Sequence, residues 1–163
     1  MLIFFDTEFT DIHREAKLIS IGLVAEDGRT FYAELADTYR LDDVGDFARV
    51  AVLPLLEGGD YLMHMHTLTL RLGNWLESFN QPVRLATDSL AWDWPWIGQE
   101  IFAIPETWPT NLDLTPRILQ FNADRGTRFG NAVEKAFSTG KLRQHHALDD
   151  AKANRLGWLA AQD

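Results

Sequence analysis

Short apolar runs separated by turn residues occupy the first 35 positions of the chain. The segment 2–8 opens with an apolar run, residues 2–5, that is too short for a helix, and this predicts a buried strand over residues 2–8. Residues 17–25 predict a second strand, the dipeptide Asp27-Gly28 predicts a hairpin turn, and residues 30–35 predict a third strand. The opening pattern therefore predicts an antiparallel meander of three strands.

Helical and strand patterns alternate along the rest of the chain, after a less regular stretch at residues 37–60. Apolar residues at helical spacing predict helices over residues 67–79, 94–102, 115–124, 129–137 and 147–161. Strands are predicted at residues 82–87 and 111–114, and a loop at residues 105–109. We expect Pro95 and Pro116 in the first turns of their helices, where proline is tolerated.

This order of elements predicts an α/β fold, in which a three-stranded antiparallel meander and added parallel strands form a mixed sheet flanked by helices. At 163 residues the chain is long enough to bury a sizeable core, so we expect one domain over residues 1–163. The N-terminus lacks a basic segment before an apolar core, and no apolar run has membrane-spanning length. We therefore expect a cytoplasmic protein that has no membrane partner.

Composition and charge restrict the chemistry and the partners of the chain. The sequence has no cysteine, which excludes disulfides and thiolate metal sites. Its net charge of −9 argues against a protein that grips long nucleic-acid duplexes through many phosphates. Short or single-stranded ends remain compatible with this charge, because few phosphates are held at once.

Two carboxylates lie two positions apart at the end of the first predicted strand. Asp6 and Glu8 therefore point to the same face of the sheet. Two like charges on one face are costly unless a cation joins them. A solvated pair at a strand end is the ordinary alternative, but the neighbouring Phe5 and Phe9 make exposure less favourable here. Phe9 has two alternative roles, core packing or stacking on a terminal base.

A second acidic block, residues 87–93, follows a strand at the carboxyl edge of the sheet, where ligand sites of α/β proteins gather. Asp88 and Asp93 are alternative metal ligands, and either of them can instead cap a helix. The block continues into a tryptophan cluster, for which core anchoring is the usual role: Trp92, Trp94 and Trp96.

A third block, residues 145–150, opens the last helical pattern and contains two histidines and two aspartates. A histidine with an unperturbed pKa of about 6.5 can accept a proton from an attacking water at neutral pH. A histidine pair beside acids is, taken alone, more often a surface feature. His146 and Asp149 are the alternatives to His145 and Asp150, and we expect His146 to be solvated at the helix start.

Together the three blocks resemble the motifs of the DEDDh branch of the 3′–5′ exonuclease superfamily, which has an RNase H-like fold. Residues 6–10 match its first motif, D-x-E, and residues 145–150 match its third, H-x-A-x-x-D. Residues 88–93 resemble the second motif in the form found in oligoribonuclease, with an aspartate at position 88 where asparagine is usual. The resemblance implies a general base, His145, and two divalent ions, Mg²⁺ or Mn²⁺, whose ligands are Asp6, Glu8, Asp93 and Asp150.

Residues 5–29 are most similar to small bacterial exoribonucleases of the mycobacterial type, and RNase T is a further similar protein. The resemblance implies an exoribonuclease that releases nucleoside 5′-monophosphates from the 3′ ends of single-stranded RNA or from 3′ overhangs, usually as a homodimer. The residues expected to contact substrate are Thr7, Phe9, Ser89 and Trp92. One alternative is a 3′–5′ exonuclease that acts on single-stranded DNA. The other is a non-catalytic domain that binds nucleic-acid ends, but such a domain is expected to have lost a ligand or the histidine.

Overall fold

The computed structural model describes residues 1–162 and contains a six-stranded mixed sheet. Its strands are β1 (Leu2–Phe9), β2 (Leu18–Ala25), β3 (Thr30–Leu35), β4 (Leu62–Met63), β5 (Arg84–Thr87) and β6 (Arg117–Ile118). They lie in the order β4-β3-β2-β1-β5-β6. β1, β2 and β3 pair in antiparallel fashion, whereas β5 joins β1, β6 joins β5 and β4 joins β3 in parallel. The predicted meander and the predicted α/β class are confirmed.

Helices cover both faces of the sheet. They are α1 (Asp46–Ala51), α2 (Met65–Glu77), α3 (Leu90–Pro95), α4 (Ala123–Ser138) and α5 (Ala147–Ala160), and a π-helix (Trp96–Ile101) continues α3. Short 3₁₀ turns are found at Leu41–Asp43, Leu53–Leu55, Gly59–Tyr61 and Pro105–Thr107. Within residues 1–162, no helix is both long enough and apolar enough to cross a membrane.

Alternation along β1 divides the apolar core into two layers. Ile3 and Phe5 belong to the layer that contains the buried leucines of α2. Leu2 and Phe4 belong to the opposite layer, which contains Ala151 of α5. Because strand side chains alternate, Asp6 and Glu8 continue the second row and emerge on the α5 face at the end of the strand. The predicted common face of the two carboxylates follows directly from this period.

The helix predicted over residues 94–102 begins earlier than the apolar pattern indicates. It starts at Leu90, so that Pro95 lies at the end of α3 rather than in a first turn, and the chain continues as a π-helix. The predicted start was wrong because the buried residue of α3 is an aspartate, Asp93, and a prediction from apolar spacing does not count an aspartate as buried.

The predicted strand at 111–114 and the predicted helix at 115–124 are also wrong. Leu112 makes only an isolated bridge to Val83, whereas Arg117–Ile118 pairs with β5 as the edge strand β6. Proline suits the first turn of a helix and an edge strand equally well, so Pro116 did not distinguish them. Pairing with β5 decided the outcome, and the next helix starts only at Ala123.

The N-terminus of α5 approaches β2 closely at Gly22. A Cβ atom at this position would lie 2.2 Å from backbone atoms of Leu148, closer than any real contact. Gly22 is the cross-strand neighbour of Asp6 on β1, so this approach occurs directly beside the acidic residues. The missing side chain therefore allows α5 to bring Asp150 towards Glu8.

Replacement of Gly22 by alanine should destabilise the protein by about 1–3 kcal/mol, the usual cost of forcing extra atoms into a packed interior. The free energy of unfolding measured in urea tests this expectation. Gly130→Ala is the matched control, because the added Cβ meets nothing within 4 Å on α4. That control should be neutral or stabilising, by about 1 kcal/mol at most. Equal effects of the two substitutions would contradict the close approach of α5.

Candidate active site

A cleft of about 320 Å³ opens at the carboxyl end of β1. β1, α1, α3 and the segment that leads into α5 all contribute to its wall. Among the lining residues are all five side chains predicted for metal binding and for the general base, namely Asp6, Glu8, Asp93, His145 and Asp150. Three sequence blocks separated by more than 50 residues each are thus brought to one place.

Two groups of possible metal-ligating atoms occupy the acidic end of the cleft. Within each group the atoms all lie within 4.8 Å of one another. One group is formed by Asp6, Asp88 and Asp93, and the other by Glu8, His145 and Asp150. Carboxylate oxygens are the donors that Mg²⁺ and Mn²⁺ prefer in proteins. The structure places both Asp88 and Asp93 beside Asp6, although the sequence presented them as alternatives.

Asp93 is held by two threonine hydroxyls. Its side chain is only 1% exposed. Thr7 of β1 donates a hydrogen bond of 2.6 Å to one carboxylate oxygen, and Thr87 of β5 donates to the other. These bonds satisfy a buried charge and fix its orientation. The hydroxyl of Thr7 is therefore directed at Asp93, and Thr87 is a site residue that sequence reasoning missed, since a threonine at a strand end carries no distinctive signal.

Burial and mutual repulsion raise the pKa values of Asp6, Glu8, Asp93 and Asp150. Burial, followed by repulsion from Asp93 and Asp150, raises the pKa of Asp6 well above its ordinary value. Burial raises the pKa of Glu8 to about 8, and Asp150 adds to that shift. Burial also raises the pKa of Asp150 to about 7 and that of Asp93 to about 6. The ionised cluster is consequently unfavourable without a compensating cation.

His145 lies two residues before the start of α5 with its backbone in the left-handed region, at φ 67°. Its backbone N–H donates a hydrogen bond of 2.9 Å to the carboxylate of Asp150. Its ring lies edge-on to the ring of Phe47, with a centroid distance of 5.0 Å. Burial lowers the pKa of His145 from its ordinary value, so the neutral, proton-accepting form is favoured near neutral pH.

His146 is buried, and its predicted position as a solvated residue is wrong. It is 2% exposed, and its Nδ1 accepts a hydrogen bond of 3.4 Å from the N–H of Asp149 at the start of α5. Its ring stacks on Tyr32 of β3 at a centroid distance of 4.5 Å, and its Nε2 lies 3.3 Å from Glu57 and 3.2 Å from Arg143. Tyr32 and Glu57 are distant in sequence, so only the fold shows that His146 anchors α5.

Aromatic and apolar side chains form the other wall of the cleft. Phe9 stacks on Trp92 at a centroid distance of 6.0 Å, and Trp92 is 47% exposed. Ser89 lines the cleft nearby. Ile12 and Phe47 are further exposed apolar residues of the lining. Sequence reasoning missed both, because an isolated apolar residue in an irregular segment looks the same in a core and in a cleft.

Comparison with known proteins identifies the family of the chain. No family profile matches it. The 3′-5′ exoribonuclease of Mycobacterium tuberculosis, in each of two strains, is 33% identical over 126 residues, which cover 76% of this chain and 71% of the relative. The chain belongs to this 3′–5′ exoribonuclease family. The resemblance to small exoribonucleases of the mycobacterial type is thereby confirmed.

Without divalent ions, this family member should lose stability as the pH rises from about 5 to about 8. Glu8, Asp93 and Asp150 have higher pKa values in the folded protein than in the unfolded chain, so the folded state binds more protons in this range. The free energy of unfolding therefore decreases with rising pH until all three groups are ionised in the folded protein. The melting temperature in EDTA across this pH range tests the expectation.

Mn²⁺ or Mg²⁺ should raise the melting temperature most at the alkaline end of that range, because the ions bind the ionised cluster. The matched variant is Asp150→Asn, which removes one charge. In EDTA its melting temperature should depend less on pH, and it should gain less from added metal. A wild-type melting temperature that is independent of both pH and metal would contradict the electrostatic description of the cluster.

Proposed function

We propose that this protein is a metal-dependent 3′–5′ exoribonuclease that releases nucleoside 5′-monophosphates from single-stranded RNA ends or 3′ overhangs. The observation that carries this proposal is the convergence of acidic side chains and His145 at one end of a cleft whose other wall is aromatic. Membership of the family adds support, since the relative from Mycobacterium tuberculosis bears the name 3′-5′ exoribonuclease.

The two groups of donor atoms fit a pair of divalent ions. The donors are oxygens and one imidazole. The main influences on the pKa values of the four predicted ligands are burial, other carboxyl groups and hydrogen bonds, rather than a lysine or an arginine. The charge of the cluster is thus left for bound cations to balance. A bound pair of divalent ions would supply activation of a water molecule and stabilisation of the leaving oxygen of a phosphodiester.

Each predicted ligand has a distinct place in this arrangement. Asp6 interacts electrostatically with carboxylates of both groups, so it would contribute to both ion sites. Asp93, whose orientation is set by its threonine partners, would hold one ion. Glu8 and Asp150 would hold the other ion. The neutral imidazole of His145, beside this second pair, accepts the proton of the attacking water.

The aromatic wall suits the base of the 3′-terminal nucleotide. Trp92 is half-exposed and stacks on Phe9, so together they offer a π-surface that accepts any base. Ser89 and Thr7 also line the cleft. The net charge of −9 limits the number of phosphates that the surface can attract, which favours a single-stranded end over a duplex.

Incubation with 5′-labelled single-stranded RNA and Mg²⁺ or Mn²⁺ should give a ladder that shortens from the 3′ end, and EDTA should abolish it. The released products should be nucleoside 5′-monophosphates, identified by chromatography. A DNA oligomer of matched sequence, with deoxyuridine at the uridine positions, serves as the comparison, because it then differs only in lacking the 2′-hydroxyl. Faster degradation of the DNA would assign the substrate to the other polymer. Internal cuts, or cleavage in EDTA, would contradict the proposal itself.

His145→Ala should lower kcat by about 10²–10⁴-fold, the usual contribution of a positioned base. The acidic limb of the pH–rate profile should disappear, because the group that must be deprotonated is gone. Binding of Mn²⁺, measured by calorimetry, should largely survive, since every carboxylate remains. A pH–rate profile that the substitution leaves unaltered would assign the proton acceptor elsewhere.

His146→Ala should act on stability rather than on proton transfer. Loss of the buried ring removes its stacking on Tyr32 and its hydrogen bond from the N–H of Asp149, at a cost of about 1–3 kcal/mol in the free energy of unfolding. Urea denaturation measures this cost, and the acidic limb of the pH–rate profile should persist. Equal losses of that limb in both histidine variants would show that the two rings had been assigned wrongly.

A further inference from the structure

We propose that Asp88 is a fifth carboxylate of the metal centre and that Asn154 is the residue that positions it there. The inference rests on the proposed two-metal function and assigns a role to a side chain outside the four predicted ligands. Asp88 directly follows β5, and Asn154 lies on α5, one helical turn after Asp150. The two residues are 66 positions apart in sequence and meet only in the fold.

Asp88 lies closer to other carboxylates than an exposed aspartate needs to. One of its oxygens is within 4.8 Å of donor atoms of Asp6 and Asp93. Its side chain is exposed, so rotation towards water would separate the like charges at little cost. Among residues 1–162, no lysine or arginine forms an ion pair with it. Its inward orientation therefore needs another cause.

Asn154 supplies that cause. Its side chain is 4% exposed, and its Nδ2 donates a hydrogen bond of 2.8 Å to Oδ1 of Asp88. A buried amide that loses its partner is costly, so the bond restrains both side chains. Asn154 thus holds an oxygen of Asp88 beside Asp6 and Asp93 without adding a positive charge of its own.

In this arrangement α5 contributes to the position of a carboxylate in each group of donor atoms. The helix carries Asp150 into one group directly and, through Asn154, fixes Asp88 in the other. Affinity for a hard divalent ion rises with the number of charged oxygens offered to it. The ion beside Asp6 and Asp93 should therefore bind more tightly because Asp88 is held in place.

Calorimetric titration of the whole protein with Mn²⁺ alone tests the inference without reference to activity. Asp88→Asn keeps the shape and an acceptor for Asn154 but removes the charge, and it should weaken Mn²⁺ binding by about tenfold, at the lower end of losses seen for groups supporting a metal site. Asn154→Ala should weaken binding less. In the double variant, Asn154→Ala should cause no further loss of Mn²⁺ affinity beyond that of Asp88→Asn, because Asn154 acts through the carboxylate of Asp88. Asp60→Asn, on an exposed turn outside both groups, is the charge-matched control and should bind as the wild type does.

An unchanged Mn²⁺ affinity in Asp88→Asn would overturn the inference while leaving the exoribonuclease proposal intact. A loss from Asn154→Ala that persists in the Asp88→Asn background would overturn the positioning role. If Asn154→Ala fails to fold, the Mn²⁺ affinity of Asp88→Asn still tests the inference. The substituted side chain is exposed, and the melting temperature of that variant verifies that it folds. Failure of the wild type both to bind Mn²⁺ and to shorten RNA would instead contradict the proposed function.

Discussion

The close packing of α5 against β1 and β2 is the constraint on which the site depends. The helix can start beside the sheet only because Gly22 offers no side chain to the backbone of Leu148. From that start the helix delivers Asp150 and Asn154 to the acidic end of the cleft, and His145, two residues before the helix, takes a left-handed backbone conformation. A shift of this helix end would displace several functional groups together.

The same packing concentrates negative charge where water has been removed. Asp6, Glu8, Asp93 and Asp150 have raised pKa values, and the chain offers hydroxyls and amides as partners of the cluster rather than cations. Without divalent ions, the fold is therefore weakened at the place where its proposed chemistry occurs. This is the ordinary trade between stability and function at a preorganised site. Binding of metal would relieve the strain and couple the stability of the protein to its ion supply.

A separate polar network offsets part of this cost just outside the cleft. His146 stacks on Tyr32, and Arg143 bridges Asp149 and Glu57. These contacts attach the segment before α5 to β3 and to the chain before β4. The two adjacent histidines thus have opposite surroundings, since His145 faces the cleft while His146 is enclosed by partners. The neighbouring ring supports the backbone from which His145 projects.

The sequence by itself determined the elements whose signals are local. The period of two along β1 set the common face of Asp6 and Glu8, and the run of turn residues and apolar stretches set the three-stranded meander. The spacing of the acidic blocks, with the family resemblance, was enough to nominate the metal ligands and His145. Only the tertiary structure decided that Asp88 joins Asp93 beside Asp6, that His146 is buried, and that residues 117–118 form a strand. Each of these outcomes depends on a partner far away in the chain, and packing against such a partner outweighs the weak local preference of the residue itself.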